Sequence, residues 1–280
     1  MEITKRYLKK LFKIIKKPEM KILPGNIAFF LVLSIFPIIT LGGYLASFYN
    51  VSIDSFINFM NDILPNEVTS VLVPYITGNG MDIHVGFSIL LGYIVASNGA
   101  HSIIVSCNTL YGVEHSSYFR RRVKSLFITI LLIVLFVFSL VVLAFGNNIL
   151  RFILGLNFFG SVGDKIYYIF LLLKWPIAII VIFIMIKLIF TIAPDSLIKS
   201  KVTNKGAFFT TISWIVFTFV YSYYVQHFSH YDIFYGSLSN IIIMMMWIYI
   251  LSCTLVIGIA INVQNYRNYM DSLEDTGDNK

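Results

Sequence analysis

Charge is scarce in this sequence, and acidic charge is the scarcer kind. Charged residues make up 12% of the 280 residues and hydrophobic residues 58%, whereas a soluble domain is about a quarter charged and about half apolar. This much apolar surface exceeds what a single aqueous core can bury. The balance excludes an ordinary soluble domain and predicts a chain that lies mostly in lipid.

Cysteine is nearly absent as well. Cys107 and Cys253 both fall in apolar segments, and they lack the spacing of zinc ligands or of a disulfide framework. Small buried side chains are the interpretation that we favour. His227, His230 and Asp232 could bind an ion weakly, but an ordinary wet loop is the preferred interpretation. The sequence therefore predicts no metal site and no cofactor.

What the sequence does contain is six apolar runs, each of 22 to 25 residues and each without Asp or Glu. A helix needs about 20 residues to cross the hydrocarbon core, and backbone groups in lipid must be bonded internally. The runs span 26–49, 85–108, 125–146, 168–192, 206–228 and 238–262. They predict an all-α, polytopic membrane bundle of six transmembrane helices occupying residues 26–262.

The basic residues indicate the orientation of these runs. Seventeen of the 21 Lys and Arg residues lie in segments that would share one side of a membrane, and the opposite segments carry two. The remaining two, Lys174 and Lys187, lie in the fourth run. Because positive charge marks the cytoplasmic side, we expect both termini to be cytoplasmic, in a multi-pass protein of the bacterial cytoplasmic membrane.

Residues 1–25 predict a basic amphipathic helix on the cytoplasmic side. Its apolar face holds Leu8, Leu11, Phe12 and Ile15, and its basic face holds Arg6, Lys9, Lys10, Lys13, Lys16 and Lys17. Such a helix lies on the inner leaflet, where each Lys contributes on the order of 1 kcal/mol next to anionic lipid. A plain positive flank would explain the charge but not its helical spacing. The expected partner is anionic phospholipid, not nucleic acid.

Two further segments are expected outside the spans. Residues 50–84 are acidic and amphipathic, with a break at Pro65, which predicts two short interfacial helices on the outer face. The tail, 263–280, carries four acidic residues and is predicted to be disordered.

The second run concentrates polar residues, which are costly in lipid and are therefore candidates for function. With one lysine of the fourth run, they form a candidate polar path through the bundle. Its residues are Ser97, Asn98, His101, Asn108 and Lys174. Hydrogen bonds between helices are the plainer explanation for the first four, and snorkelling for the lysine. A stripe of small residues at spacing four, from Ser88 to Ala100, predicts a closely packed neighbour.

Short motifs in a fixed order resemble one family. Their residues are Ser34, Pro37, Tyr111, Pro194, Gly206, Tyr235, Gly236, Trp247, Tyr249, Gly258 and Asn262. Each motif alone is weak, but the ordered set covers nearly the whole chain and is similar to the YihY/BrkB family, formerly labelled ribonuclease BN-like. One departure is Ala260, where the family usually has Glu, so no role of that carboxylate is carried over.

The resemblance implies a six-helix bundle in the cytoplasmic membrane whose activity is poorly defined. RNA cleavage is rejected because it calls for metal-bound water or a poised acid and base, and the inner segments before the tail offer only Glu2, Glu19, Glu114 and Asp195. Transport or handling of lipid or another amphipathic substrate is the expected function, without an enzymatic activity. A scaffold that binds an envelope protein is the alternative. Substrate, direction, energy source and oligomeric state are left open.

Overall fold

A computed structural model of the chain describes residues 2–18, 20–33, 83–139, 163–228 and 235–275. Within these ranges the backbone is helical apart from short connections, and it contains no strand. The helices are α1 Glu2–Ile15, α2 Met20–Leu33, α3 Ile83–Tyr111, α4 Tyr118–Ser139, α5 Gly163–Ile192, α6 Asn204–Phe228 and α7 Ser239–Asp275, the last preceded by a 3-10 turn at Gly236–Leu238. The all-α class is thus confirmed over the described part of the chain.

Three of these helices are long and apolar enough to cross a membrane. The qualifying stretches are Trp175–Ile192 in α5, Asn204–Val225 in α6 and Ile241–Ser272 in α7. They correspond to the fourth, fifth and sixth predicted runs. Helix α3 contains the second run, while α4 and α2 contain the described parts of the third and first runs. The arrangement of six spans with cytoplasmic termini stays a prediction.

The N-terminal segment is two helices, which corrects the single helix predicted over residues 1–25. Helix α1 ends when the amide of Lys17 bonds to the carbonyl of Ile14 at 3.1 Å, a tighter turn than an α-helix. Pro18 follows and cannot donate a backbone bond. Helix α2 then begins, with the amide of Lys21 bonded to the Pro18 carbonyl at 3.0 Å.

The C-terminal boundary also differs from the prediction. Helix α7 continues past Asn262 to Asp275, so residues 263–275, predicted to be a disordered tail, are helical. These residues are helical because α1 packs on α7, and burial of an apolar face stabilises a helix beyond its intrinsic propensity. Of the segment 50–84, predicted to form interfacial helices, residues 50–82 lie outside the described residues, and 83 and 84 begin α3.

Small residues allow close helix contacts, as the stripe in the second run predicts. Ala96 and Ala100 are buried, and a Cβ built on Gly99 would lie 3.2 Å from Leu31 of α2. Helix α7 packs against α6, α3 and α1, and α4 packs between α3 and α5. The core contains side chains from all of these helices, with Phe190 and Ile259 almost fully buried.

The opposite surfaces of the long helices are apolar and exposed. Leu172 and Trp175 on α5, and Phe208, Phe219 and Val220 on α6, are each more than half exposed. In a soluble protein, large contiguous apolar patches are rare. These faces are suited to contact with lipid, in agreement with the composition of the chain.

Candidate functional site

The last turn of α3 is tied to the connection between α5 and α6. The Nδ2 group of Asn108 donates to Oδ2 of Asp195 at 2.7 Å, and Oδ1 of Asn108 accepts from the backbone amide of Asp195 at 2.9 Å. The same Nδ2 lies 3.3 Å from Nδ1 of His115. Asn108 is fully buried, so these bonds satisfy an amide that would otherwise be costly to bury.

Lys124 forms an ion pair with the same carboxylate. Its Nζ donates to Oδ1 of Asp195 at 2.5 Å and to the carbonyl of Pro194 at 3.0 Å. The side chains of Lys124 and Asp195 are 17% and 3% exposed. Ser116 also bonds to this carboxylate, since its backbone amide donates to Oδ2 of Asp195 at 3.1 Å. We call Asn108, His115, Ser116, Lys124 and Asp195 the Asp195 cluster.

The cluster keeps Asp195 ionised. Burial alone would raise the pKa of this carboxyl group, but the hydrogen bonds from Lys124, Ser116 and Asn108 outweigh it and hold the pKa well below its usual value. Because a carboxylate with a depressed pKa is a weak proton acceptor near neutral pH, the geometry favours a structural clamp over a general base.

The other candidates of the polar path lie farther along α3. Asn98 is ten residues before Asn108, which is about 15 Å along a helix. Its Oδ1 accepts from Nη1 of Arg122 at 2.8 Å, and the hydroxyl of Ser97 donates to its own helix at Ile94. The ring of His101 lies 6.5 Å from that of Tyr118. In the described part of the chain its buried Nδ1 has no hydrogen-bond partner.

Asn98 and Asn108 therefore make separate contacts, and the polar path along α3 stays a prediction. Asn108 joins the Asp195 cluster and Asn98 pairs with Arg122, which are the helix-to-helix contacts that the plainer interpretation predicts. The side chain of Lys174 lies outside the described residues. Sequence reasoning missed Lys124 and Ser116 and listed Asp195 only as an inner carboxylate. One feature of the sequence could have pointed to Asp195: it is an acidic residue directly after Ala193-Pro194, at the end of an apolar run that contains no acidic residue.

The basic segments meet at one end of the helices. Lys199, between α5 and α6, donates to Oη of Tyr269 on α7, and Lys10 of α1 lies 3.6 Å from Asp271. The rings of Tyr111 on α3 and Tyr266 on α7 are 5.7 Å apart. The N-terminal helix, the α3–α4 connection, the α5–α6 connection and the end of α7 thus share one surface.

No group of three or more His, Cys, Asp and Glu side chains that could hold a metal ion occurs within the described ranges.

Comparison with known proteins identifies the family of this chain. The family model described as Virulence factor BrkB matches residues 12–279. The chain belongs to this family. It is also similar to the ribonuclease-like protein YfkH of Bacillus subtilis (strain 168), with 30% identity over 261 residues that cover 91% of this chain and 94% of the relative. No solved structure matches the chain.

Several motif residues of this BrkB-family chain form the contact between α6 and α7. The amide of Gly206 donates to Oδ1 of Asn262 at 2.8 Å. A Cβ on Gly206 would lie 2.2 Å from the carbonyl oxygen of Gly258, and one on Gly258 would lie 2.0 Å from Oγ1 of Thr210. The two glycines therefore allow the backbones to touch, and Asn262 satisfies an amide at the first turn of α6.

The remaining motif residues have varied positions. Nε1 of Trp247 donates to Oγ1 of Thr218 at 3.1 Å, which also joins α6 to α7. Gly236 adopts a φ of 53°, a left-handed conformation that favours glycine. Tyr235 and Tyr249 are about half exposed, and Pro194 lies beside the Asp195 cluster. Ser34 and Pro37 lie outside the described residues.

Proposed function

We propose that this BrkB-family protein transports or otherwise handles anionic phospholipid, or another amphipathic anion, in the bacterial cytoplasmic membrane. Both termini would face the cytoplasm and the chain would cross the membrane six times. The observation that carries the proposal is the gathering of basic segments at one end of helices whose outer faces are apolar. An amphipathic anion matches both features, because its charged head can contact the basic residues and its apolar part can contact the apolar faces.

The charge distribution supports a lipid head group over a soluble polyanion. The basic residues lie at the ends of apolar helices, where Lys and Arg contact anionic head groups. Exposed apolar side chains occur at the same end: Phe12 and Ile22 are 61% and 67% exposed. A surface that combines exposed Phe and Ile with lysines is typical of membrane interfaces.

The name of the Bacillus relative raises RNA cleavage as another function. The buried carboxylate at the basic end argues against it, since Asp195 is held by Lys124 with a depressed pKa and is a poor general base. A scaffold for an envelope protein is the remaining alternative, and its expected docking segment, residues 50–84, lies outside the described residues up to position 82.

The proposal is tested with purified protein in liposomes that contain fluorescent phosphatidylglycerol, scored by loss of fluorescence after a membrane-impermeant quencher is added. We expect faster exchange between leaflets than in empty liposomes, and slower exchange with the Asn98→Leu/His101→Leu variant than with the wild type. Fluorescent phosphatidylcholine measures head-group selectivity. Folded protein that moves neither lipid, and that co-purifies with an envelope protein, would favour the scaffold instead.

A further inference from the structure

Helix α1 and the end of α7 border a groove of about 550 Å³. We call it the α1–α7 groove. Its first wall carries Lys10 and Lys13 of α1 and Lys17 of the turn that follows α1, and its wall on α7 carries Arg267 and Asp271. Lys10 and Lys13 on α1, and Arg267 and Asp271 on α7, are spaced by three or four positions and so share one face of their helix.

The groove has an excess of positive charge. Four cations line it, and Asp271 is the only carboxylate among its described lining residues. Asp271 lies 3.6 Å from Lys10, with side chains that are 63% and 50% exposed. Exposed ion pairs at this separation are weak and exchange readily. The groove can therefore accept an anion without breaking a strong internal contact.

With the sixth span ending at Asn262 as predicted, the groove would lie at the depth of the lipid head groups. Arg267 is five residues beyond Asn262, the predicted end of the sixth span, which is about 7 Å along a helix. The head-group layer on each side of the hydrocarbon core is about 5–8 Å thick. Ile14, which also lines the groove, is 3% exposed and anchors α1 to the protein, while Phe12 on the same helix is 61% exposed.

We propose that the α1–α7 groove binds the phosphate of an anionic phospholipid head group, with Lys10, Lys13, Lys17 and Arg267 as its ligands. This inference rests on the proposed lipid handling and gives it a head-group site. The shared chemistry is a phosphate anion, so free phosphate is the competing source of the ligand. Asp271 would compete with the phosphate for Lys10.

The test is calorimetric titration of the full-length protein in a non-ionic detergent with short-chain phosphatidylglycerol, short-chain phosphatidylcholine and inorganic phosphate. The groove variant is Lys13→Gln/Lys17→Gln. Its matched control, Lys9→Gln/Lys16→Gln, removes the same charge from the same N-terminal segment at two positions that do not line the groove. A third variant, Asp271→Asn, removes the competing carboxylate.

We expect phosphatidylglycerol to bind the groove variant at least about tenfold more weakly than the wild type, since each Lys contributes appreciably next to an anionic surface. The control pair should change affinity by less than about twofold, because exposed charges outside the site are screened. Asp271→Asn should bind more tightly, a gain that misfolding cannot produce. Equal losses in the groove variant and the control would overturn the site.

The other outcomes separate this site from the proposed function. Inorganic phosphate that binds as tightly as phosphatidylglycerol would overturn the lipid assignment in favour of a free anion. Groove-dependent lipid binding without exchange in liposomes would support the site and overturn transport. Lipid exchange that the groove variant leaves unchanged, together with unaltered binding, would overturn the site and leave the proposed function standing.

Discussion

Asn108 and Asp195 are joined by two hydrogen bonds, although 87 positions separate them in the sequence. The pairing is reciprocal because the carboxamide of Asn108 both donates to the carboxylate and accepts from the amide of the same residue. It connects the end of α3 to the segment that follows α5. Its removal would weaken this connection and leave Ser116 and Lys124 as the other cluster contacts of Asp195.

We expect Asn108→Ala to destabilise the protein by about 1–3 kcal/mol, because it leaves the partly buried amide of Asp195 without this acceptor. The measurement is the apparent melting temperature in detergent. Ser106→Ala is a matched control on the same helix, since that buried hydroxyl donates only to its own helix at Ser102. Its effect should be much smaller, and equal effects would contradict a clamping role for Asn108.

The second prediction concerns the ion pair between Lys124 and Asp195. Lys124→Met leaves a carboxylate that is 3% exposed without its cation, and breaking a buried pair in this way costs about 3–5 kcal/mol. Lys10→Met breaks the exposed pair with Asp271 and should cost no more than about 1 kcal/mol. The two melting temperatures measured side by side provide the comparison. Similar losses would show that Asp195 is solvated when its partner is removed.

Run length and charge placement predicted the helical class and the positions of α5, α6 and α7, because both are properties of local sequence. The Asp195 cluster could not be predicted in the same way. Its bonds join Asn108, Lys124 and Asp195 from three separate segments, and only the packing of α3, α4 and α5 decides that they meet. The sequence offered only the general cost of burying polar groups in lipid.

The N-terminal and C-terminal boundaries were missed for a related reason. The amphipathic pattern of α1 predicts a helix at the membrane surface, and the structure adds that Ile14 of this helix is buried in the protein core while Phe12 is exposed. The contact with α1 in turn keeps the acidic end of α7 helical up to Asp275. A pattern of exposed and buried residues does not distinguish burial against lipid from burial against another helix.

The depressed pKa of Asp195 predicts a pH dependence. Its carboxylate stabilises the fold at pH values above the unfolded pKa of about 4, and this stability is lost as the pH falls towards the lower pKa of the folded state. The difference in melting temperature between the wild type and Asp195→Asn should therefore be largest near neutral pH and shrink below about pH 4. A difference that stays constant down to about pH 3 would contradict the ion pair as its origin.

The last prediction concerns the glycine contact between α6 and α7. Gly206→Ala should destabilise the protein strongly, since the new methyl group would lie 2.2 Å from the Gly258 carbonyl oxygen and 2.4 Å from Oδ1 of Asn262. Gly25→Ala is the control, because a Cβ there meets nothing within 4 Å. In helix α2 that change should be neutral or stabilise by up to about 1 kcal/mol, as alanine favours helix over glycine. Melting temperatures of the two variants decide the matter. If Gly206→Ala melted like Gly25→Ala, the backbones of α6 and α7 would have to separate without loss, and their close approach would not hold this part of the bundle together.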